Sequence, residues 1–116
     1  MLASRDSELN RYLQEVQSSG ASLATFKNKR AYCTEYLRFC QATAIDGASP
    51  EAVAKYASLI WSNAATDRTI SSKVGEVLKW CRWLEQEKAL PKGVSFHAIT
   101  TGNILKKLRQ DGPPRR

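Results

Sequence analysis

The chain has 116 residues, 42% of them hydrophobic, and 18 Lys plus Arg against 11 Asp plus Glu leave it at +7. That length fits one domain with a real core, and the charge turns the partner list toward polyanions, either nucleic acid or an anionic membrane surface, beside the plainer reading of a merely basic domain. No apolar run approaches the roughly 20 residues of a membrane span, and residues 1–12 lack the apolar stretch of a secretory signal.

The cysteines, Cys33, Cys40 and Cys81, are odd in number and form no Cys-x-x-Cys pair. Each falls on an apolar helical position, which reads as buried free thiols in a reducing compartment. The expected location is intracellular, the cytoplasm of a prokaryote or the nucleus of a eukaryote. His97 is the only histidine, so zinc lacks ligands, and no cofactor is expected.

In chain order, the first helix is expected over about 6–18, with Leu9, Tyr12, Leu13 and Val16 as its apolar stripe. Ser4, Asp6 or Ser7 can cap it, and Gly20 ends it. The second opens at Ser22 as N-cap and runs to about Ala42. Phe26, Cys33, Leu37 and Cys40 make its inner stripe, with Tyr36 beside it. Lys27, Asn28, Lys29 and Arg30 crowd its first two turns. Cations at a helix N-terminus oppose the macrodipole, at a few tenths of a kcal/mol each. Together with exposed backbone N–H groups they suit a phosphate; a solvated basic turn is the alternative.

Residues 44–48 form a loop. Ser49-Pro50-Glu51 then supplies a cap, a proline at the first helical position and a first-turn acid. This third helix faces Val53, Tyr56, Ala57 and Ile60 inward with Trp61 at the edge, and reads as scaffold. Thr66 or Asp67 can cap the fourth, which runs to about Lys88. Its stripe is Ile70, Val74, Val77, Cys81 and Leu84. The opposite face carries Ser71, Ser72, Gly75, Lys79 and Arg82, with Arg68 and Lys73 near the start. Gly75 costs up to about 1 kcal/mol against Ala there, which a close approach by another chain or by DNA would explain, as would chance. Trp83 lies off the stripe and needs cover, expected from the C-terminal segment.

Leu90-Pro91-Lys92-Gly93 breaks the chain, and a short helix follows over about 101–110, with Ile104, Leu105 and Leu108 inward and Lys106, Lys107 and Arg109 outward. Asp111-Gly112-Pro113-Pro114 stops it. Nothing alternates like a strand. The expected fold is all-α, a compact bundle of four helices plus a short C-terminal helix. There is no Walker pattern, no Gly-x-Gly-x-x-Gly and no His-Glu-x-x-His, and the acids are scattered. No active site complete in this chain is expected, and no catalytic or metal-binding residue is assigned.

Several helices carry a resemblance in the right order. Thr69-Ile70, Val74, Val77, Trp80-Cys81 and Arg82-Trp83-Leu84 are similar to the fourth helix of the N-terminal core-binding (SAM-like) domain of tyrosine recombinases, the phage-integrase family. Ser22-x-x-Thr25-Phe26 resembles the opening of that domain's second helix, and Ser49-Pro50-Glu51 that of its third. The chain departs from the family pattern at Lys29, where a tyrosine is usual. The segment from Ile104 to Arg116 resembles the stretch before the interdomain linker.

The resemblance covers about residues 7–116. It implies a DNA-binding domain over 1–112 and a linker starting at 113–116, leading to an absent catalytic domain that carries the nucleophilic tyrosine. As it stands the module is then not an enzyme; in a longer chain it would belong to a site-specific recombinase acting in DNA recombination or integration of a mobile element. Double-stranded DNA is the implied partner, neighbouring protomers on DNA a second, and no membrane.

The resemblance also implies that the N-terminal halves of helices two and four meet the major groove. Lys27, Lys29, Arg30, Arg68, Lys73 and Lys79 would mostly contact phosphates. Thr25, Asn28, Thr69, Ser71 and Ser72 would reach base edges or phosphates, and Arg115 and Arg116 would track the backbone. Six neutralised phosphates would give a log K against log salt slope near about −5. The alternative is a helical protein-interaction or oligomerisation module, with Trp61, Trp80 and Trp83 forming an apolar patch for a partner helix.

Overall fold

The computed structural model describes residues 5–63 and 65–110. Five helices follow one another: α1 (Asp6–Ser18), α2 (Leu23–Thr43), α3 (Pro50–Ser62), α4 (Asp67–Gln86) and α5 (Thr101–Gln110). No strand occurs among the described residues. The Cα radius of gyration is 13.9 Å, close to the ~13 Å expected of one folded unit this long.

The helix starts follow from local chemistry. Ser22, Ser49 and Thr66 sit in extended backbone, and their hydroxyls accept from the N–H groups of Thr25, Ala52 and Thr69 at 3.1, 3.2 and 3.1 Å. Each such cap is worth about 1 kcal/mol. The first helix differs from expectation. Arg5 occupies its N-cap position without a side-chain cap bond, while Asp6 and Ser7 lie inside the helix. Ser4 lies outside the described residues. At the other ends, Gly20 takes φ of 87° beyond α1, and Lys88, at φ of 54°, follows an α4 that stops at Gln86.

Arg5 has a different job. Its guanidinium binds Asp46 at 3.0 Å through both Nε and Nη2, and its Nη1 donates to Glu8 and to the Ala89 carbonyl. One side chain thus ties the start of α1 to the α2–α3 loop and to the segment that follows α4. The Arg5 hydrogen bond holds the Asp46 carboxyl below the ordinary carboxylate range against the opposing effect of burial.

The centre of the fold is α4, the one helix in contact with all four others. Ile70, Val74, Val77, Leu78, Trp80, Cys81 and Leu84 are essentially sealed from solvent. Tyr36, Tyr56 and Trp80 pack edge-on, with centroids 5.4 and 6.4 Å from the Tyr36 ring. Tyr36 donates to the Gly47 carbonyl at 2.6 Å, whereas the Trp80 indole N–H has no partner among the described residues. Phe96, in the segment before α5, plugs the core, and its N–H donates to Glu85. All three cysteines are buried and free. Burial pushes the Cys33 thiol up to about 12 and the Cys40 thiol to about 11, so both stay protonated.

Two expectations for the tryptophans are corrected. Trp83 is covered by α1 rather than by the C-terminal segment. Its ring lies 5.5 Å from Tyr12, the Arg11 guanidinium stacks 4.9 Å above it, and its N–H donates to Glu15. With Trp80 and Trp83 both buried, the three tryptophans do not form a surface patch.

A candidate nucleic-acid interface between two helices

The outer edges of α2 and α4 enclose a groove of about 230 Å³. Asn28 and Tyr32 line it from α2; Ser71, Ser72, Gly75 and Glu76 line it from α4, with Lys79 at its edge. Each helix contributes because its apolar stripe turns inward and leaves the small and hydroxylic positions outside. Thr25, Lys27, Asn28 and Arg30 are exposed on α2, and Arg68, Ser71, Ser72 and Lys79 on α4. Thr69 is half-buried and its N–H is capped by Thr66. Arg115 and Arg116 lie outside the described residues.

The cations fall into three groups. Lys27 and Arg68 have no acidic partner among the described residues, and Arg30 stacks 5.5 Å from the Phe26 ring centroid without one. Lys73 and Lys79 keep a surface position beside a carboxylate. Lys73 Nζ lies 3.1 and 3.0 Å from the two Glu35 oxygens, and Lys79 Nζ lies 3.5 Å from Glu76. Glu35 also accepts from the Tyr56 hydroxyl. Burial alone would raise the Glu35 carboxyl; the bonds from Tyr56 and Lys73 outweigh it and leave the group below its ordinary range.

Lys29 stands apart and corrects the expectation of a phosphate contact. Its side chain is only 11% exposed. Its Nζ lies 3.0 Å from Glu76 Oε1 and donates to the Tyr12 hydroxyl at 3.4 Å. The ammonium therefore joins α1, α2 and α4 beneath the groove. Lys29 is a packing residue here.

Glu76 is the floor of the groove. Its Oε1 serves both Lys29 and Lys79. Neither Glu76 nor Tyr32 was singled out by sequence. Their spacing from Asn28 and Ser72 becomes informative only once α2 is laid against α4. Gly75 is partly accounted for within the fold, since a Cβ there would meet the Thr101 methyl of α5 at 3.7 Å, an ordinary contact.

Elsewhere, no group of three or more His, Cys, Asp or Glu suited to a metal ion occurs among the described residues, and no helix there is long and apolar enough to cross a membrane. A second groove, about 550 Å³ and largely apolar, lies between α3 and α5, where Ala54, Ile99, Ile104 and Leu108 line it. Compared with known proteins, the chain matches no family model, no curated protein and no solved structure.

Proposed function

We propose that this protein is a DNA-binding module that lays the outer faces of α2 and α4 against the duplex. The carrying observation is that Lys27, Arg30 and Arg68, which have no acidic partner among the described residues, lie on the same two helices that border a polar groove. Phosphates take these three cations first. Lys73 and Lys79 join by exchanging a carboxylate for a phosphate, and Lys29 takes no part. The resemblance of helices two to four to the core-binding domain of tyrosine recombinases supports a place in DNA recombination or integration. In that family this domain grips the site and a separate catalytic domain cuts it, so the module binds without cleaving.

The test is an anisotropy titration of a short mixed-sequence duplex at salt concentrations from about 50 to about 200 mM. Three to five neutralised phosphates give a slope of log K against log salt between about −3 and about −4.5. Lys27→Glu with Arg68→Glu weakens binding and leaves the melting temperature in place. Absence of binding at the lowest salt, or binding indifferent to salt, overturns the reading.

The apolar groove between α3 and α5 favours a second reading, a helical interaction module. Leu59 on α3 is also 43% exposed. Sedimentation without DNA separates the two: a stable dimer that ignores DNA supports the interaction module.

A further inference from the structure

A phosphate is a poor occupant for the centre of the α2–α4 groove. The floor is the Glu76 carboxylate, and the lysines beside it are already committed to it, so an anion placed there finds no uncommitted cation. The one cation pointed at that floor from within, Lys29, is already bound to the same carboxylate. Lys79 at the edge is shared with it as well. What the groove offers instead is the Glu76 carboxylate, an acceptor, beside the Asn28 amide, which can both donate and accept. The Tyr32 hydroxyl and the hydroxyls of Ser71 and Ser72 stand around them, and Gly75 leaves room for a close approach. The unpaired cations, Lys27, Arg30 and Arg68, are absent from its lining. Charge and hydrogen-bonding capacity are thus separated, with the uncommitted cations outside and a polar slot of paired charge within.

That separation matches the two parts of a duplex. Phosphates want the cations. An acceptor with an amide beside it wants the edge of a base that carries an amino group. In the major groove only adenine N6 and cytosine N4 present one, and the corresponding side chains are Asn or Gln for adenine and Asp or Glu for cytosine. We infer that Asn28 and Glu76, with Tyr32 beside them, form a base-reading slot selective for an amino-bearing base in the major groove. Lys29 is then a positioning residue. It holds the Glu76 carboxylate in place through Oε1. This inference rests on the DNA-binding reading above and adds sequence preference to it.

The experiment is selection of bound duplexes from a randomised pool, run with the wild type and with Asn28→Ala. Asn28 is exposed on α2, so this variant keeps the fold; Glu76→Gln would unsettle Lys29 and is not the primary probe. The wild type is expected to enrich a motif with a fixed adenine or cytosine. Asn28→Ala loses that preference by about 5-fold or more, since one good bidentate contact is worth about 1–3 kcal/mol. Its salt slope stays unchanged, because the substitution removes no charge. Replacing the selected base by its analogue without the exocyclic amine, purine for adenine or 2-pyrimidinone for cytosine, gives the same loss with an unaltered protein.

If the wild type binds duplexes with the expected salt dependence but enriches no motif, the slot is wrong and the DNA-binding reading stands. The same holds if the amine can be removed without effect. If no duplex is bound, the DNA-binding reading itself has failed.

Discussion

The two grooves of this molecule are built from the same kind of element and differ in almost every property that matters to a ligand. The one between α3 and α5 is the larger, at about 550 Å³, and alanine and aliphatic side chains make much of its wall. Its best-defined charges, Glu51 and Lys55, are paired with each other one turn apart at 3.0 Å. The one between α2 and α4 is less than half that volume and is walled by hydroxyls, an amide, a carboxylate and a lysine. Apolar walls select by area and shape; polar walls select by donor and acceptor pattern and by charge. The difference sets the α2–α4 face, where the proposed DNA contact falls, apart from α3 and α5, whose groove suits an apolar contact.

The largest expected effect lies under the polar groove. Lys29→Ala leaves Glu76 mostly buried without its principal cation, and removal of one partner from such a pair costs about 3 kcal/mol. Lys27→Ala, two residues away and exposed, stays within about 0.5 kcal/mol. Chemical denaturation of the two variants checks this. Equal midpoints would mean that Lys29 is a surface residue after all, and the contrast between floor and rim would collapse. Lys29→Met combined with Glu76→Leu should recover most of the loss, because paired removal spares the orphaned charge.

This contrast also explains what the sequence made legible. The caps at Ser22, Ser49 and Thr66 are local devices, visible within four residues, and all three hold in the structure. The apolar stripe of α4 is likewise set by spacing alone, and its five positions are buried. Lys29 and Lys27 look alike in sequence, since what separates them is Glu76, 47 positions away. Tyr32 and Glu76 entered no local pattern, because the groove exists only after two helices meet. Trp83 failed for the same reason: its cover, Tyr12 with Arg11 and Glu15, lies at the far end of the chain. Local chemistry fixed the helices and their inner faces; partner choice across the bundle decided which outer residues are available.

A smaller effect probes the open wall of the polar groove. Gly75 sits in a helix interior, and a Cβ there meets only the Thr101 methyl at 3.7 Å. Gly75→Ala should therefore stabilise the fold by about 0.5–1 kcal/mol. If DNA approaches the backbone at this point, the same variant binds a duplex more weakly while melting higher. A variant that melts higher and binds equally well would make Gly75 incidental to the groove.

The smallest effect distinguishes the grooves by their response to acid. Glu35 holds Lys73 and Tyr56 and sits below its ordinary value of 4.5. Its folded pKa is depressed, so its contribution to stability is present above that value and is lost as pH falls through the lower folded one. Glu35 is about half exposed, which limits the contribution to a few tenths of a kcal/mol. The effect on binding runs the other way. Protonation of Glu35 releases Lys73, and a released cation is one more phosphate contact. Glu35→Gln should imitate the protonated state at neutral pH: slightly lower stability, tighter binding to a duplex, and a salt slope steeper by about 0.9. Glu51→Gln, its counterpart beside the apolar groove, should change neither binding nor slope. If Glu35→Gln and Glu51→Gln behave alike toward DNA, charge on the α2–α4 face does not govern the encounter. If only Glu35→Gln steepens the slope, Lys73 is confirmed as a cation that a phosphate must win from a carboxylate.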